Sequence, residues 1–312
     1  MSKGKGLKYR LIMGASRAIG ALPDWFIYDC LGRFISFLLY RVIHYRVKVV
    51  RRNLNRAFPE KSQDELRQIE RDFYAHLGEL VIDTIDMANI SREDMASRLR
   101  VDNLAEHRAA TTDQPWVAMM AHYGCWEYFG AYQLYDDRTQ MVGVYHPLRD
   151  EAFDDFYYTI RSRFGLLPVQ MKDIARFAVK YRKGYEGRPL AFGMIADQRP
   201  PREAENRMYD FLNSPTAFFM GGEWLARKFA LPVYFMHVEK VGRAKYSCTF
   251  ECIYDGAEEV VEGEITRRYA ERLEAMIRRA PHLWVWSHRR WKHLDIAEDE
   301  VRATQNAEAQ NT

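Results

Sequence analysis

The sequence lacks several features that would assign it to a protein class at once. Its four cysteines have no C-x-x-C spacing, and no signal-peptide cleavage pattern stands near the start, which predicts a reducing cytoplasmic environment and no structural zinc. It has no internal repeat and no glycine-rich phosphate loop. The longest uncharged apolar stretch, residues 34–40, is far shorter than the roughly 20 residues that cross a bilayer.

Net charge is low but unevenly distributed. The chain carries +3 overall, yet the first 56 residues hold 12 Lys and Arg against Asp24 and Asp29, so the remaining chain carries a net −7. Large apolar side chains such as Trp25 and Phe34 stand among these cations. This mixture predicts that residues 1–58 form a basic amphipathic helical region that lies on an anionic membrane without crossing it. Nucleic-acid binding and a helical hairpin packed on the protein itself are the alternatives.

The rest of the chain predicts an α/β domain. With 312 residues and 47% hydrophobic content, the chain can bury a sizeable core in one domain with a helical preface or in two domains. An S-x-x-E capping box at Ser62 and Glu65 opens an amphipathic helix that we expect to reach about Met87.

Beyond that helix, short apolar runs alternate with helical patterns. We expect strands at 116–121, 141–145, 166–170 and 190–196, and a strand pair at 231–241 and 244–254. Residues 59–295 are therefore predicted to form a mixed, largely parallel central sheet flanked by helices. Residues 296–312 are predicted to be a disordered polar tail.

The strand at 116–121 ends at His122, and Glu127 follows five positions later. This spacing lets a helix begin after the histidine and return the carboxylate towards the imidazole. Such a carboxylate holds one ring nitrogen in its N–H form and leaves the other free to take a proton from a substrate hydroxyl. A purely structural histidine at a strand end is the alternative.

Other polar residues follow the neighbouring strands, where ligand sites of such sheets gather. Arg161 and Arg163 lie in the helix after the second strand, and Asp197 follows the third. A guanidinium there could stabilise an oxyanion or hold a phosphate, and we expect Asp197 to pair with one of these arginines or with a backbone amide. For three further arginines, a surface ion pair and a phosphate contact both remain open: Arg199, Arg289 and Arg290.

Taken in order, the motifs AHYGCWE, GVYHP, RSRFG, ADQRP, LARKFALPV and SHRRWK resemble those of the bacterial lipid A biosynthesis (lauroyl/myristoyl) acyltransferases, within the lysophospholipid acyltransferase superfamily. The resemblance covers about residues 31–292 and implies a glycerolipid acyltransferase-like fold. The family's H-x4-D/E motif falls on His122 and Glu127, its arginine on Arg161 or Arg163, and its acidic strand-end motif on Asp197. His146 in GVYHP, the run ADQRP and the run PTAFFMGGEW depart from the family pattern, which bears on the acceptor more than on the chemistry.

The resemblance implies transfer of a fatty acyl chain from an acyl carrier protein thioester to a hydroxyl of a lipid A precursor, at the cytoplasmic face of the inner membrane. A thioester is already activated, so the reaction needs a base and an oxyanion site but no metal, no cofactor and no covalent enzyme intermediate. We expect His122 to be the base and Glu127 its orienter. The alternatives are a lysophospholipid or aminolipid acceptor, a non-enzymatic lipid-binding protein, and a thioesterase that uses Cys125 as its nucleophile.

Overall fold

The computed structural model describes residues 6–201 and 207–296. The predicted disordered tail therefore lies outside the described residues, apart from Ile296. Across the ranges that are described, no helix is both long enough and apolar enough to cross a bilayer.

The N-terminal region is helical, as predicted. The α-helices of this region are α1 (Leu7–Gly20), α2 (Arg33–Phe37) and α3 (Val47–Ala57). A π-helical segment adjoins each end of α2, at Phe26–Gly32 and Leu38–Val42. The region packs against the long helix α4 (Gln63–Asp86). A Cβ built on Gly78 of α4 would lie 2.4 Å from the carbonyl oxygen of Gly32, so only glycine permits this close approach.

Helix α4 begins and ends where the sequence predicts. The Ser62 hydroxyl accepts from the Glu65 amide while the Glu65 carboxylate accepts from the Ser62 amide, which is the complete capping box. The remaining helices are α5 (Arg92–Arg98), α6 (Leu104–Ala110), α7 (Glu151–Ser162), α8 (Ile174–Lys180), α9 (Gly221–Phe229) and α10 (Glu264–Arg279).

A seven-stranded mixed sheet forms the centre of the molecule. Its strands are β1 (Leu99–Val101), β2 (Trp116–Met120), β3 (Gln140–Tyr145), β4 (Leu167–Gln170), β5 (Leu190–Ile195), β8 (Val233–Gly242) and β9 (Lys245–Tyr254). They lie in the order β1-β9-β8-β2-β5-β3-β4. Strands β8, β2, β5, β3 and β4 run parallel, whereas β9 is antiparallel to β8 and β1 runs parallel to β9. The predicted mixed, mostly parallel sheet is confirmed.

Strand β2 lies at the centre of this sheet. Every residue from Trp116 to Met120 is at most 2% exposed, because helices cover both faces of a parallel sheet. This explains why the strand is apolar without alternation. A small antiparallel hairpin, β6 (Tyr209–Phe211) with β7 (Ser214–Thr216), was not predicted, since two three-residue strands carry too little pattern to be recognised.

The pairing of β2 with β5 prepares the functional site. Met120 is in register with Ile195, and the Ala196 amide extends the pairing by donating to the Met120 carbonyl at 3.2 Å. Two residues beyond each strand therefore stand His122 and Asp197, at the same edge of the sheet. Carboxyl ends of neighbouring parallel strands are where such folds assemble ligand sites.

Candidate active site

His122 and Asp197 form a hydrogen-bonded pair at the carboxyl ends of β2 and β5. The Nδ1 atom of His122 lies 2.7 Å from one carboxylate oxygen of Asp197, and the His122 backbone amide donates to the other at 3.0 Å. The carboxylate is almost fully buried, while about a fifth of the imidazole side chain is exposed. Solvent therefore does not reach the Asp197 carboxylate, whereas a ligand can reach part of the His122 imidazole.

The electrostatics of Asp197 fix the tautomer of His122. Burial alone would raise the pKa of Asp197, but the charge of a protonated His122 and hydrogen bonds from His122 and Trp284 outweigh burial and lower it. An ionised carboxylate can only accept, so Nδ1 must carry the proton between the two residues. The Nε2 atom of a neutral His122 is then a free base.

Trp284 completes the set of donors around Asp197. Its indole Nε1 donates at 2.8 Å to the same oxygen that accepts from the His122 amide. The segment around Trp284 is held against the histidine by backbone bonds: Val285 donates to the His122 carbonyl at 3.1 Å and Gly124 donates to the Leu283 carbonyl at 3.0 Å. The chain after α10 therefore holds both members of the His122–Asp197 pair.

Two side chains border the outer face of the imidazole. The Gln198 amide nitrogen lies 3.3 Å from His122 Nε2, which suits donation to an unprotonated nitrogen. The Trp126 ring meets the His122 ring edge-to-face at a centroid distance of 4.9 Å. The ring plane of His122 is therefore set by Asp197 on one side and by Trp126 on the other.

The carboxylate of Glu127 is hydrogen-bonded to Arg161 and not to His122, and the expectation that it would orient the imidazole must be corrected. Both of its oxygens accept from the guanidinium of Arg161 on α7, at 2.7 Å from Nε and 2.5 Å from Nη2. The reason lies in the local backbone. Gly124 adopts φ +59° and a 3₁₀-helix begins only at Trp126, so the carboxylate of Glu127 is delivered towards α7.

Arg161 is held tightly between Glu127 and two tyrosines. Its guanidinium lies 5.0 Å from the Tyr157 ring centroid and 5.8 Å from that of Tyr145, the last residue of β3. Burial opposes the charge, but Glu127 outweighs it and raises the pKa of Arg161. Since Nε and Nη2 are committed to Glu127, Nη1 is the nitrogen that remains for a ligand.

Comparison with known proteins is decisive at this point. The family model described as bacterial lipid A biosynthesis acyltransferase matches residues 5–293, which is nearly the whole chain. The chain belongs to this family. It is an acyltransferase, and the family implies a lipid acceptor and an acyl donor. No curated protein matches the chain significantly.

The other predicted site residues of this acyltransferase have different surroundings. Arg163 points away from the pair and donates to the carbonyls of Met87 and Ile90, at 2.5 and 3.0 Å, beyond the end of α4. Arg290 is buried and donates to the Ala217 carbonyl, so neither a surface ion pair nor an open phosphate contact describes it. Its guanidinium also lies 4.7 Å from the centroid of the Phe218 ring.

The segment that carries Asp197 is fixed by a second histidine. The backbone amide of Arg199 donates to His288 Nε2 at 3.2 Å. Burial, and after it the positive charge of Arg290, lower the pKa of His288 to about 4, so the imidazole is neutral and able to accept. The sequence contains Trp284 and His288 in one tryptophan-rich run, but no spacing rule connects that run to a strand end some 90 positions earlier.

Cys125 lies inside the histidine motif but is poorly suited to be a nucleophile. Its side chain is buried, and burial, followed by the charges of Asp83 and Glu127, raises its pKa well above the ordinary value for a thiol. A thiolate is the reactive form, so this environment disfavours the thioesterase alternative. Among the described residues, no cluster of three or more histidine, cysteine or acidic side chains could hold a metal ion.

A groove of about 360 Å³, lined mainly but not entirely by apolar side chains, opens just past the Asp197 segment of the acyltransferase. The Phe219 amide ties its wall to the sheet by donating to the Ala196 carbonyl at 3.3 Å. The groove is lined by Pro200, Phe218, Phe219, Met220, Glu223, Trp224, Arg227 and Glu262.

Proposed function

We propose that this acyltransferase moves a fatty acyl chain from an acyl carrier protein thioester to a hydroxyl of a lipid A precursor. His122 is the general base, and Asp197 takes the orienting role that the sequence suggested for Glu127. The observation that carries this proposal is the 2.7 Å contact between His122 Nδ1 and a buried carboxylate, on an imidazole side chain of which about a fifth is exposed.

The chemistry follows from that geometry. The acceptor hydroxyl displaces the amide of Gln198 from His122 Nε2 and gives its proton to this nitrogen while its oxygen attacks the thioester carbonyl carbon. The imidazolium formed is stabilised by the Asp197 carboxylate. As the carbon–sulfur bond breaks, the thiolate leaves and recovers the proton from His122, so that ester and thiol are released with the enzyme unchanged.

Glu127 supports the site by holding Arg161. The bidentate pair aims a partly buried guanidinium at the end of β3, and Nη1 is the atom we assign to the carbonyl oxygen as negative charge develops on it. We do not assign this role to Arg163, because both of its Nη atoms donate to carbonyls that follow α4.

The groove beyond Asp197 suits the acyl chain. Phe218, Phe219, Met220 and Trp224 give it an apolar lining, and Pro200 joins it directly to the segment that carries the catalytic acid. We therefore assign the acyl chain of a thioester held at His122 to this groove.

The N-terminal region supports a position on the cytoplasmic face of the inner membrane. Half of the large apolar side chains that stay exposed in the described chain lie between residues 7 and 45. They are Leu7, Leu11, Leu22, Trp25, Phe26, Phe34, Phe37, Val42, Ile43 and Tyr45. Apolar side chains among cations favour an anionic lipid surface.

The double variant Phe34→Ser/Phe37→Ser should bind anionic vesicles more weakly in a co-sedimentation assay. Unchanged binding would contradict this placement.

The proposal is tested by turnover with purified protein. Carrier-protein thioesters of several chain lengths would be offered with a lipid A precursor, a lysophospholipid and an aminolipid, and product masses would identify donor and acceptor together. His122→Ala should lower kcat by roughly 10²–10⁴ with the fold retained.

The chain offers a matched control for this variant. His237 also lies 2.7 Å from a carboxylate, that of Glu251, but on β8 and β9. His237→Ala should leave turnover unchanged. A His122→Ala protein as active as the wild type would refute the proposal and favour a lipid-binding protein without chemistry at this site.

A further inference from the structure

A second groove, basic in its lining, lies between the N-terminal region and the chain after α10. It measures about 500 Å³ and is lined by His44, Arg46, Val47, Lys48, Val49, Arg51 and Arg289. The lining contains four permanently positive side chains and no acidic residue. We refer to it below as the basic groove.

The charges of the basic groove are mostly uncompensated. The charge of Arg51 is compensated, because its guanidinium forms a bidentate pair with the buried carboxylate of Glu70. The Arg46 guanidinium donates to a backbone carbonyl, that of Ser287, at 2.9 Å. Within the described ranges, neither Lys48 nor Arg289 lies within ion-pair distance of a carboxylate, in contrast to arginines such as Arg161.

The backbone beside the basic groove also contributes positive charge. Helix α3 begins at Val47 with no acidic residue in its first turn, so its positive end adds to the cations of the groove rather than being offset. Like charges gathered on one wall repel, and a bound anion removes that repulsion. The groove is therefore complementary to an anion.

The position of the basic groove relates it to both the membrane and the active site. The exposed apolar side chains next to the groove in the sequence are those of Val42, Ile43 and Tyr45, which come directly before Arg46. At its other end, the carbonyl of Ser287 that Arg46 holds adjoins His288, whose ring accepts from the Arg199 amide.

The neighbour of Arg199 on that segment is Gln198, whose amide meets His122. An anion in the groove would thus lie between the exposed apolar turn and the catalytic histidine. The molecule to which this anion belongs should therefore have one end in the lipid and a hydroxyl within reach of His122.

We propose that the basic groove binds a phosphate group of the lipid acceptor and thereby directs one of its hydroxyls to His122. This inference rests on the proposed function for the identity of the acceptor. Cations next to exposed apolar side chains suit a phosphate on an amphiphile, and the groove volume accommodates a phosphorylated sugar headgroup. Lys48 and Arg289 are assigned as the phosphate ligands because neither pairs with a carboxylate among the described residues, whereas Arg51 pairs with Glu70 and Arg46 already donates to the Ser287 carbonyl.

The test compares Lys48→Gln, Arg289→Gln and the double variant with Lys245→Gln, which removes an exposed lysine on β9, away from the site. Each enzyme is assayed with a lipid A precursor and with the same precursor after phosphatase treatment. The KM for the phosphorylated acceptor should rise roughly threefold in each single variant and roughly tenfold in the double variant. The KM for the treated acceptor, the KM for the donor and kcat should change by less than about twofold, as should every parameter of Lys245→Gln.

Three outcomes would overturn the inference. An unchanged KM for the phosphorylated acceptor would remove the groove from recognition. An equal rise for both acceptors would make its role independent of phosphate. A rise in the KM for the donor instead would assign the basic groove to the acidic carrier protein.

A binding assay separates failure of this inference from failure of the proposed function. Vesicles carrying the phosphorylated precursor, the treated precursor or phosphatidylglycerol alone are sedimented with His122→Ala protein, with and without the Lys48 and Arg289 substitutions. We expect the substitutions to weaken only the binding that depends on the precursor's phosphate, even if no acceptor is turned over. Equal weakening on phosphatidylglycerol vesicles would mean that the groove recognises bilayer phosphates in general, and would refute the assignment to the acceptor.

Discussion

Replacing Asp197 by Asn separates the role of this carboxylate from its contribution to packing. The wild-type carboxylate accepts three hydrogen bonds, two on one oxygen from the His122 amide and Trp284 and one on the other from His122 Nδ1. An Asn amide has a single acceptor oxygen. The orientation that keeps two donors satisfied places this oxygen at the backbone amide and the indole, so the NH₂ group faces Nδ1.

That orientation reverses the tautomer of His122. With a donor opposite it, Nδ1 must accept, and the ring proton moves to Nε2, the atom that should take the proton of the hydroxyl. The imidazolium also loses its buried counter-charge. We expect a loss of about 3–5 kcal/mol of transition-state stabilisation, which lowers kcat roughly 10²–10⁴-fold.

The cost to folding should be smaller. Two of the three hydrogen bonds persist and the third is reversed in direction, so the free energy of unfolding should fall by only about 1–2 kcal/mol, measured by urea titration alongside steady-state kinetics. An Asp197→Asn enzyme that is folded and keeps kcat within about threefold of the wild type would refute the view that this carboxylate sets the tautomer of His122.

Three further predictions concern the Glu127–Arg161 pair, Trp284 and a buried histidine away from the site. Glu127→Gln and Arg161→Met should each lower the free energy of unfolding by about 2–3 kcal/mol, and the double variant by less than their sum; full additivity in urea titrations would contradict a coupled pair. Trp284→Phe removes one donor to the catalytic acid and should lower kcat roughly tenfold with little change in KM, and the reverse pattern in steady-state kinetics would speak against a positioning role. His107 is stacked on Phe250, and neither of its ring nitrogens has a hydrogen-bond partner among the described residues. Burial lowers the pKa of His107 to about 4. Between that value and the unfolded pKa of about 6.5, only the unfolded chain binds the proton, so the free energy of unfolding decreases by about 1.4 kcal/mol for each unit by which the pH is lowered. His107→Phe should reduce this decrease in urea titrations from pH 7 down to pH 5. An unchanged slope would exclude the contribution of His107.

Much of the fold could be predicted because its signals are local. The capping box at Ser62 and the apolar runs of the main strands each depend on neighbouring residues, and the structure confirms these elements to within a few residues. The β6–β7 hairpin was missed since its strands are too short to show a period. Which arginine accompanies the site was left open by the sequence: Arg161 and Arg163 are two residues apart, and their opposite directions depend on how α7 packs.

The partner of His122 was the main error, and its cause is physical. Local spacing favoured Glu127, five residues away, whereas the structure brings in Asp197, 75 positions further along the chain. Nothing in the local pattern around either residue encodes that β5 lies next to β2, because β3 and β4 come between them in the chain and not in the sheet.

The sequence by itself determined the elements and the kinds of residue that end them: a buried strand that stops at a histidine, a second strand that stops at an acid, and an N-terminal region both basic and apolar. The tertiary structure decided which of these ends meet. Hydrogen-bond register between β2 and β5 sets the acid against the histidine, and the chain after α10 adds Trp284 to the same carboxylate. Such contacts depend on strand order and helix packing, which arise from burial summed over the whole domain, so no short stretch of sequence contains them.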